Sequence, residues 1–131
     1  MLLEVFGWFW IGLGGLSGAL IGVRFRDEWF LGGYASWTRR LVRLGHIALF
    51  GTGLLAVMLA ATLQRHDLGE RWESVAAWCM VIGAVGMPAG CFLSAARPRV
   101  VPLFILPVVA MGASVTIVYV RLLLLVLQGS V

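Results

Sequence analysis

The sequence has no lysine and no asparagine, and its 131 residues include only ten basic and six acidic side chains. An ordinary soluble domain is about one quarter charged, whereas this chain is 12% charged. So few charged side chains do not cover the surface of a soluble globule of this length. The composition therefore excludes a soluble enzyme, a disordered segment and a free nucleic-acid binder.

The residue patterns that usually carry chemistry are also missing. Cys79 and Cys91 are twelve residues apart on one predicted helix, about 18 Å along its axis, which is too far for a disulfide. No His or Cys cluster has the spacing of a metal site, and no glycine loop is followed by a lysine. The sequence therefore predicts neither catalytic residues nor metal ligands.

Apolar residues are what the chain has in excess. They make up 61% of it, and its mean hydropathy is +0.98. Four apolar runs, at residues 5–23, 41–63, 74–96 and 100–127, each approach or exceed the ~20 residues that a helix needs to cross a bilayer. Because backbone groups in lipid must be paired internally, we expect an all-α protein. The expected fold is a single four-helix transmembrane bundle over residues 1–131.

The arginines predict how the bundle is oriented. Seven of the ten lie in the first and third connectors: Arg24, Arg26, Arg39, Arg40, Arg43, Arg97 and Arg99. The positive-inside rule places these connectors in the cytoplasm and both termini outside, on the periplasmic side of a bacterial inner membrane. Trp29 and Trp37 are expected at the same interface, where the first connector would bind anionic phospholipids.

Two helix starts carry capping signals. Ser36 is expected to cap the second helix, which would then begin at Trp37. Asp67 with Glu70 three positions later is the pattern of a capping box for the third helix.

Glycines predict where helices pack closely. Gly14, Gly18 and Gly22 recur every four residues on the first span, and Gly86 and Gly90 repeat this spacing on the third. Small residues at this spacing let another helix approach at short range. The partner helix is expected within this bundle or in a different subunit.

His46 is the one histidine that falls inside an apolar run. An imidazole within a membrane ligates haem iron, hydrogen-bonds a quinone or relays protons; it also commonly just bonds a neighbouring helix. A bis-histidine haem within this chain is excluded, because His66 lies in the opposite connector. A haem b or quinone would therefore be shared with a partner subunit.

Glu4 and Arg121 are the charges expected at the outer end of the first and fourth spans. Charges within a membrane are costly and are usually paired. We therefore expect an ion pair between Glu4 and Arg121, or an Arg121 side chain that extends outward to the interface.

The segment from Gly12 to Arg24, GLGGLSGALIGVR, resembles the first span of the small four-helix fluoride channels. That family's pore pattern includes an Asn on the second span and paired Phe on the third. This sequence has no Asn, so it does not meet the pattern and is not assigned to that family.

These observations predict a non-catalytic accessory subunit of a larger membrane complex, of a respiratory or other electron-transfer type. Its partners would be other integral membrane subunits and anionic phospholipids, with no nucleic acid. The alternative is a small homo-oligomeric channel or transporter, for which polar residues within the spans are few: Ser17, Thr52, Ser114 and Thr116.

Overall fold

The computed structural model describes residues 1–129 and is all-helical over that range. Four α-helices follow one another: α1 (Leu2–Arg24), α2 (Trp37–Arg65), α3 (Glu70–Ala96) and α4 (Ile105–Leu127). All four are long and apolar enough to cross a membrane, the fourth together with the 3-10 segment Pro98–Phe104 that precedes it. The described part of the chain is therefore a multi-pass helical bundle by length and composition.

The helices are arranged around a central pair. α1 packs on α2, α2 on α3 and α3 on α4, whereas α1 and α4 share no substantial interface. In the most apolar window of α1 and of α4, 11% of residues are buried within the chain, compared with 39% in α2 and 33% in α3. The two outer helices thus leave most of their surface uncovered by this chain.

The core lies where all four helices meet. Ala56, Leu59 and Met80 form its buried centre, on α2 and α3. Apolar side chains of α1 and α4 pack against this cluster from either side. On the α4 side, the buried Ser114 hydroxyl donates to the Ala76 carbonyl oxygen at 2.8 Å. Because the serine side chain is short, this hydrogen bond holds the backbones of α3 and α4 close together. The hydroxyl group finds its partner within the bundle and leaves no unpaired polar group in lipid.

Pro88 creates a second tie between helices. Because proline has no N–H, it leaves the carbonyl of Ala84, one turn earlier, without its intrahelical donor. Trp10 Nε1 of α1 donates to this oxygen at 3.0 Å, and Thr52 Oγ1 of α2 lies 3.5 Å from it. The Thr52 hydroxyl hydrogen is directed to the Ala48 carbonyl oxygen at 2.7 Å, so the Trp10 N–H is the donor that satisfies a carbonyl that lipid cannot.

The helix starts agree only partly with the sequence signals. Ser36 Oγ accepts the Arg39 N–H at 3.2 Å and α2 begins at Trp37, so this predicted cap is confirmed. The capping box at Asp67 and Glu70 is wrong, because Gly69 occupies the cap position with φ 90°. Asp67 instead accepts the Gly69 N–H at 2.9 Å, within the connector.

The fourth span also starts differently from the expectation. Residues 100–104, expected to be part of the transmembrane helix, lie in the 3-10 segment Pro98–Phe104, and the α-helix begins at Ile105. Pro102 lacks the N–H that would bond the Pro98 carbonyl oxygen if an α-helix began at Pro98. The tighter 3-10 turn is the usual form of such a helix entry.

Candidate functional site

His46 lies in the interface between α1 and α2. Its Nδ1 is 3.1 Å from Ser17 Oγ, and the same hydroxyl donates to the Gly14 carbonyl oxygen at 2.9 Å. The hydroxyl has one hydrogen and a carbonyl oxygen only accepts, so Nδ1 is the donor to Ser17 Oγ. In the neutral ring, this arrangement corresponds to the tautomer with the proton on Nδ1.

The other ring nitrogen, Nε2, then carries a free lone pair. It has no hydrogen-bond partner within residues 1–129, and it is not among the enclosed, unpaired side-chain atoms. Neutral histidine with Nδ1–H held by a hydrogen bond is the form in which Nε2 ligates a metal or accepts a hydrogen bond. His46 is therefore oriented to offer one acceptor at the surface of the bundle.

Gly18 makes room for this imidazole. A Cβ at position 18 would lie 2.9 Å from His46 Nε2 and closer still to Cε1. Real Cβ atoms essentially never come so near, so any larger residue would displace the ring. The sequence analysis treated Gly18 and His46 as separate features, and the structure brings them together.

The remaining glycines of the two motifs fall in different environments. Gly14 packs against Phe50 of α2, while Gly22 has no neighbour within 4 Å of its Cβ position. On α3, Gly86 lies against Pro107 and Gly90 against the Phe104 ring. Four of the five therefore touch another segment of this chain, and Gly22 does not.

The closest approach to backbone atoms of another helix is between Gly7 and Gly53, and sequence reasoning missed Gly53. A Cβ on Gly53 would lie 2.9 Å from the Gly7 carbonyl oxygen and 2.9 Å from the Ile11 nitrogen. On α3, the side chain of Met111 of α4 occupies the space where a Cβ on Gly83 would lie. The signal was weak because Gly53 and Gly83 do not continue a regular four-residue series.

One side of α1 carries four small residues and a tryptophan that no part of the described chain covers. Trp8, Gly12, Gly15, Ala19 and Gly22 are all exposed. They follow one another at spacings of four, three, four and three, which places them along one helix stripe. The three glycines have nothing within 4 Å of their Cβ positions. We call these five residues the α1 outer face.

Arg39 organises the first connector. Its guanidinium donates to the carbonyl oxygens of Phe25 at 2.8 Å, Asp27 at 3.2 Å and Glu28 at 3.1 Å. The side chain is 4% exposed, and its Nε is enclosed without a partner. It also lies over the Phe25 ring, 4.5 Å from the centroid. The sequence placed Arg39 among surface arginines; instead it is the buried centre around which the connector folds.

The other residues of the expected lipid interface are at the surface or near it. Arg24, Arg26 and Arg40 are exposed, as are Trp29 and Trp37.

Arg43 and Tyr34 form a contact at the edge of the first connector. An Arg43 N–H lies 3.4 Å from the Tyr34 hydroxyl oxygen. This hydrogen bond and the charge of Arg43 lower the pKa of Tyr34 below its usual value of 10.0.

Glu4 and Arg121 do not pair with each other in the described chain. Glu4 accepts from Gln64 Nε2 at 2.9 Å, and Arg121 Nε donates to the Leu68 carbonyl oxygen at 2.7 Å. The expected ion pair is absent because α1 and α4 lie on opposite sides of the central helix pair. Glu4 instead joins α1 to the end of α2, and Arg121 joins α4 to the connector between α2 and α3.

Most hydroxyl groups within the spans form hydrogen bonds inside the bundle. Those of Ser17, Thr52 and Ser114 each donate to a backbone carbonyl oxygen within hydrogen-bond distance. Over residues 1–129 no group of three or more His, Cys, Asp or Glu is arranged to hold a metal ion.

Comparison with protein-family models, with curated proteins and with solved structures gives no match to this chain.

Proposed function

We propose that the chain is a non-catalytic accessory subunit that packs against other integral membrane subunits of a larger complex. The observation that carries this proposal is the α1 outer face. Glycine costs about 1 kcal/mol relative to alanine in a helix interior, and three glycines on this face gain no contact from this chain in return. A helix of another subunit would lie in the shallow groove that they form.

The spacing of the face indicates how that helix would lie. Alternating steps of four and three residues keep a stripe facing a neighbour that crosses at about 20°, as in left-handed helix pairs. In lipid, close backbone approach supplies much of the attraction, since apolar burial alone gives little. Trp8, 60% exposed, would cover one end of the contact.

Within that role, we propose that His46 contributes to an electron-transfer site shared with a partner subunit. The support is the contact of its Nδ1 with Ser17 Oγ, which leaves Nε2 beside Gly18 without a hydrogen-bond partner in the described residues. A haem iron or the hydroxyl of a reduced quinone is the kind of group that uses such a lone pair. A second ligand, or the rest of the pocket, would come from the partner.

The proposed orientation rests on the distribution of charge. The end of the bundle with the first and third connectors has seven arginines against Asp27 and Glu28. A hydrogen bond from Thr38 Oγ1 to the Ala95 carbonyl oxygen, at 3.4 Å, joins these two connector regions. The positive-inside rule places this end in the cytoplasm of a bacterium and both termini in the periplasm.

The accessory role is tested by extraction of the full chain from its native membrane in mild detergent, followed by native mass spectrometry. The expected result is a stable assembly with integral membrane polypeptides of other sequences. Gly15→Ile should release the chain from that assembly without unfolding it. Gly51→Ile is the matched control, because Gly51 also has nothing within 4 Å but lies on α2. A chain that is extracted alone would refute the proposal, and a homo-oligomer that conducts a solute in liposomes would replace it.

The His46 role needs a separate readout. The visible spectrum of the native assembly, or its content of extractable quinone, should change in His46→Ala and stay the same in His66→Ala. A colourless and quinone-free assembly would remove this part of the proposal and leave the accessory role intact.

A further inference from the structure

The first connector forms an open cavity of about 600 Å³ next to the buried Arg39. Two arginines and one acid line it, together with aromatic side chains. The lining includes Phe25, Arg26, Glu28, Trp29, Tyr34 and Arg39.

The charge of Arg39 is not neutralised by this chain. Its hydrogen-bond partners are three neutral carbonyl oxygens, and no ion pair forms within the described residues. Asp27, the nearest acid in sequence, turns its carboxylate to the Trp29 N–H at 2.9 Å. A cation enclosed to this extent usually has a counter-charge. Arg26, on the cavity wall, adds a second positive charge, and the two arginines together outweigh Glu28.

Tyr34 adds a hydrogen-bond donor to the same wall. Its hydroxyl oxygen accepts from Arg43, and accepting this bond leaves the hydroxyl hydrogen available to donate. Phosphate oxygens accept readily from arginine and from tyrosine hydroxyl groups. Both Nη1 hydrogens of Arg39 are taken by carbonyl oxygens and its Nε is enclosed, so one Nη2 N–H remains to donate. Together with the Arg26 guanidinium and the Tyr34 hydroxyl, it forms the donor set of a phosphate site.

The surroundings indicate where such a phosphate comes from. Trp29 is 84% exposed and Tyr34 70% exposed, and Trp37 is 54% exposed at the same end of the bundle. Tryptophan and tyrosine in this position lie at the level of the lipid headgroups. The cavity is thus at the depth where phospholipid phosphates are concentrated.

We propose that this cavity binds the phosphate of an anionic phospholipid, held by Arg26 and Arg39 with Tyr34 as a further donor. The positive balance of the wall selects a headgroup with net negative charge over a zwitterionic one. A bound lipid would then brace the connector between α1 and α2. This site is independent of which subunits contact α1.

The test uses the full chain, purified in detergent and stripped of lipid, and native mass spectrometry to measure bound phosphatidylglycerol against phosphatidylcholine. We expect a clear preference for phosphatidylglycerol, and about fivefold weaker binding of it in Arg26→Gln, the loss of one near-surface arginine. Arg40→Gln is the matched control, because Arg40 is exposed at the same end but does not line the cavity. Equal losses in the two variants would overturn the proposal, since they would show diffuse attraction and no built site.

Two further measurements distinguish a lipid phosphate from a free phosphate, and a loss of binding from a loss of folding stability. If inorganic phosphate displaces phosphatidylglycerol at equal concentration, the lipid assignment is overturned and the site takes a free anion. Tyr34→Phe removes one donor and keeps the ring, so it should weaken phosphatidylglycerol binding while the unfolding temperature of the lipid-free chain stays unchanged. Unchanged binding in both Arg26→Gln and Tyr34→Phe would refute the site.

Discussion

Replacement of Gly53 by alanine should separate α1 from α2. The added Cβ would lie 2.9 Å from the Gly7 carbonyl oxygen, from the Ile11 nitrogen and from Ile11 Cγ1. Ordinary van der Waals contacts are 3.4–4 Å, and two of the three obstructing atoms belong to backbone that cannot rotate away. The helices therefore have to move apart by about half an ångström or more, and overpacking of this kind costs about 1–3 kcal/mol.

Gly51→Ala is the control that isolates this effect. Gly51 is two residues away on the same helix and has nothing within 4 Å of its Cβ position. Both substitutions gain the same helix propensity, about 1 kcal/mol, so their difference reports the contact with α1. The free energy of unfolding, measured by circular dichroism in mixed micelles of dodecyl maltoside and dodecyl sulfate, should be about 1–3 kcal/mol lower for Gly53→Ala than for Gly51→Ala. Equal stability of the two variants would refute the close approach of α1 and α2.

Three further outcomes are expected. Trp10→Phe removes the donor to the Ala84 carbonyl oxygen and should lower the free energy of unfolding by about 1 kcal/mol; the loss should shrink in a Pro88→Ala background, where the helix supplies its own N–H. Arg121→Met leaves the Leu68 carbonyl oxygen without its 2.7 Å donor and should lower the unfolding free energy by about 1–3 kcal/mol in the same assay. Arg43→Gln removes the positive charge that favours the phenolate of Tyr34, so its pKa should rise toward 10.0, as followed by phenolate absorbance.

Each of these predictions has a control and a contrary result. Undiminished loss in the Trp10 and Pro88 double variant would contradict the role given to the freed carbonyl. Arg65→Met, at an exposed position, should change stability by less than about 0.5 kcal/mol, and an effect as large as that of Arg121→Met would contradict the specific bond. The titration is read in a Tyr119→Phe background, which leaves one tyrosine, and an unchanged pKa would contradict the contact with Arg43.

The helices and their approximate limits follow from the sequence because lipid permits few alternatives. Four apolar runs of sufficient length have to be helices when no water is present to satisfy the backbone. The cap at Ser36 was predictable for a local reason, since its hydroxyl acts on an N–H three residues away. The start of α4 was not, because Pro98 and Pro102 permit both an α-helical and a 3-10 entry.

The side-chain contacts that the sequence did not predict depend on which helices are neighbours. The expected contact between Glu4 and Arg121 assumed that the first and fourth helices are neighbours, whereas the central pair separates them. Arg39 was predicted at the surface because charge alone does not reveal that three carbonyl groups of the connector turn toward it. His46 was identified as a candidate from its type and position, but its tautomer depends on Ser17 of another helix.

Photo-crosslinking from the α1 outer face in native membranes tests the central claim most directly. A photoreactive amino acid at Ala19, which is exposed between Gly15 and Gly22, should form an adduct with an integral membrane polypeptide of a different sequence. The same group at Val109, exposed on α4, is the comparison position and should give that adduct in much lower yield. Adducts with lipid alone, or with a second copy of this chain, would contradict the account of an accessory subunit.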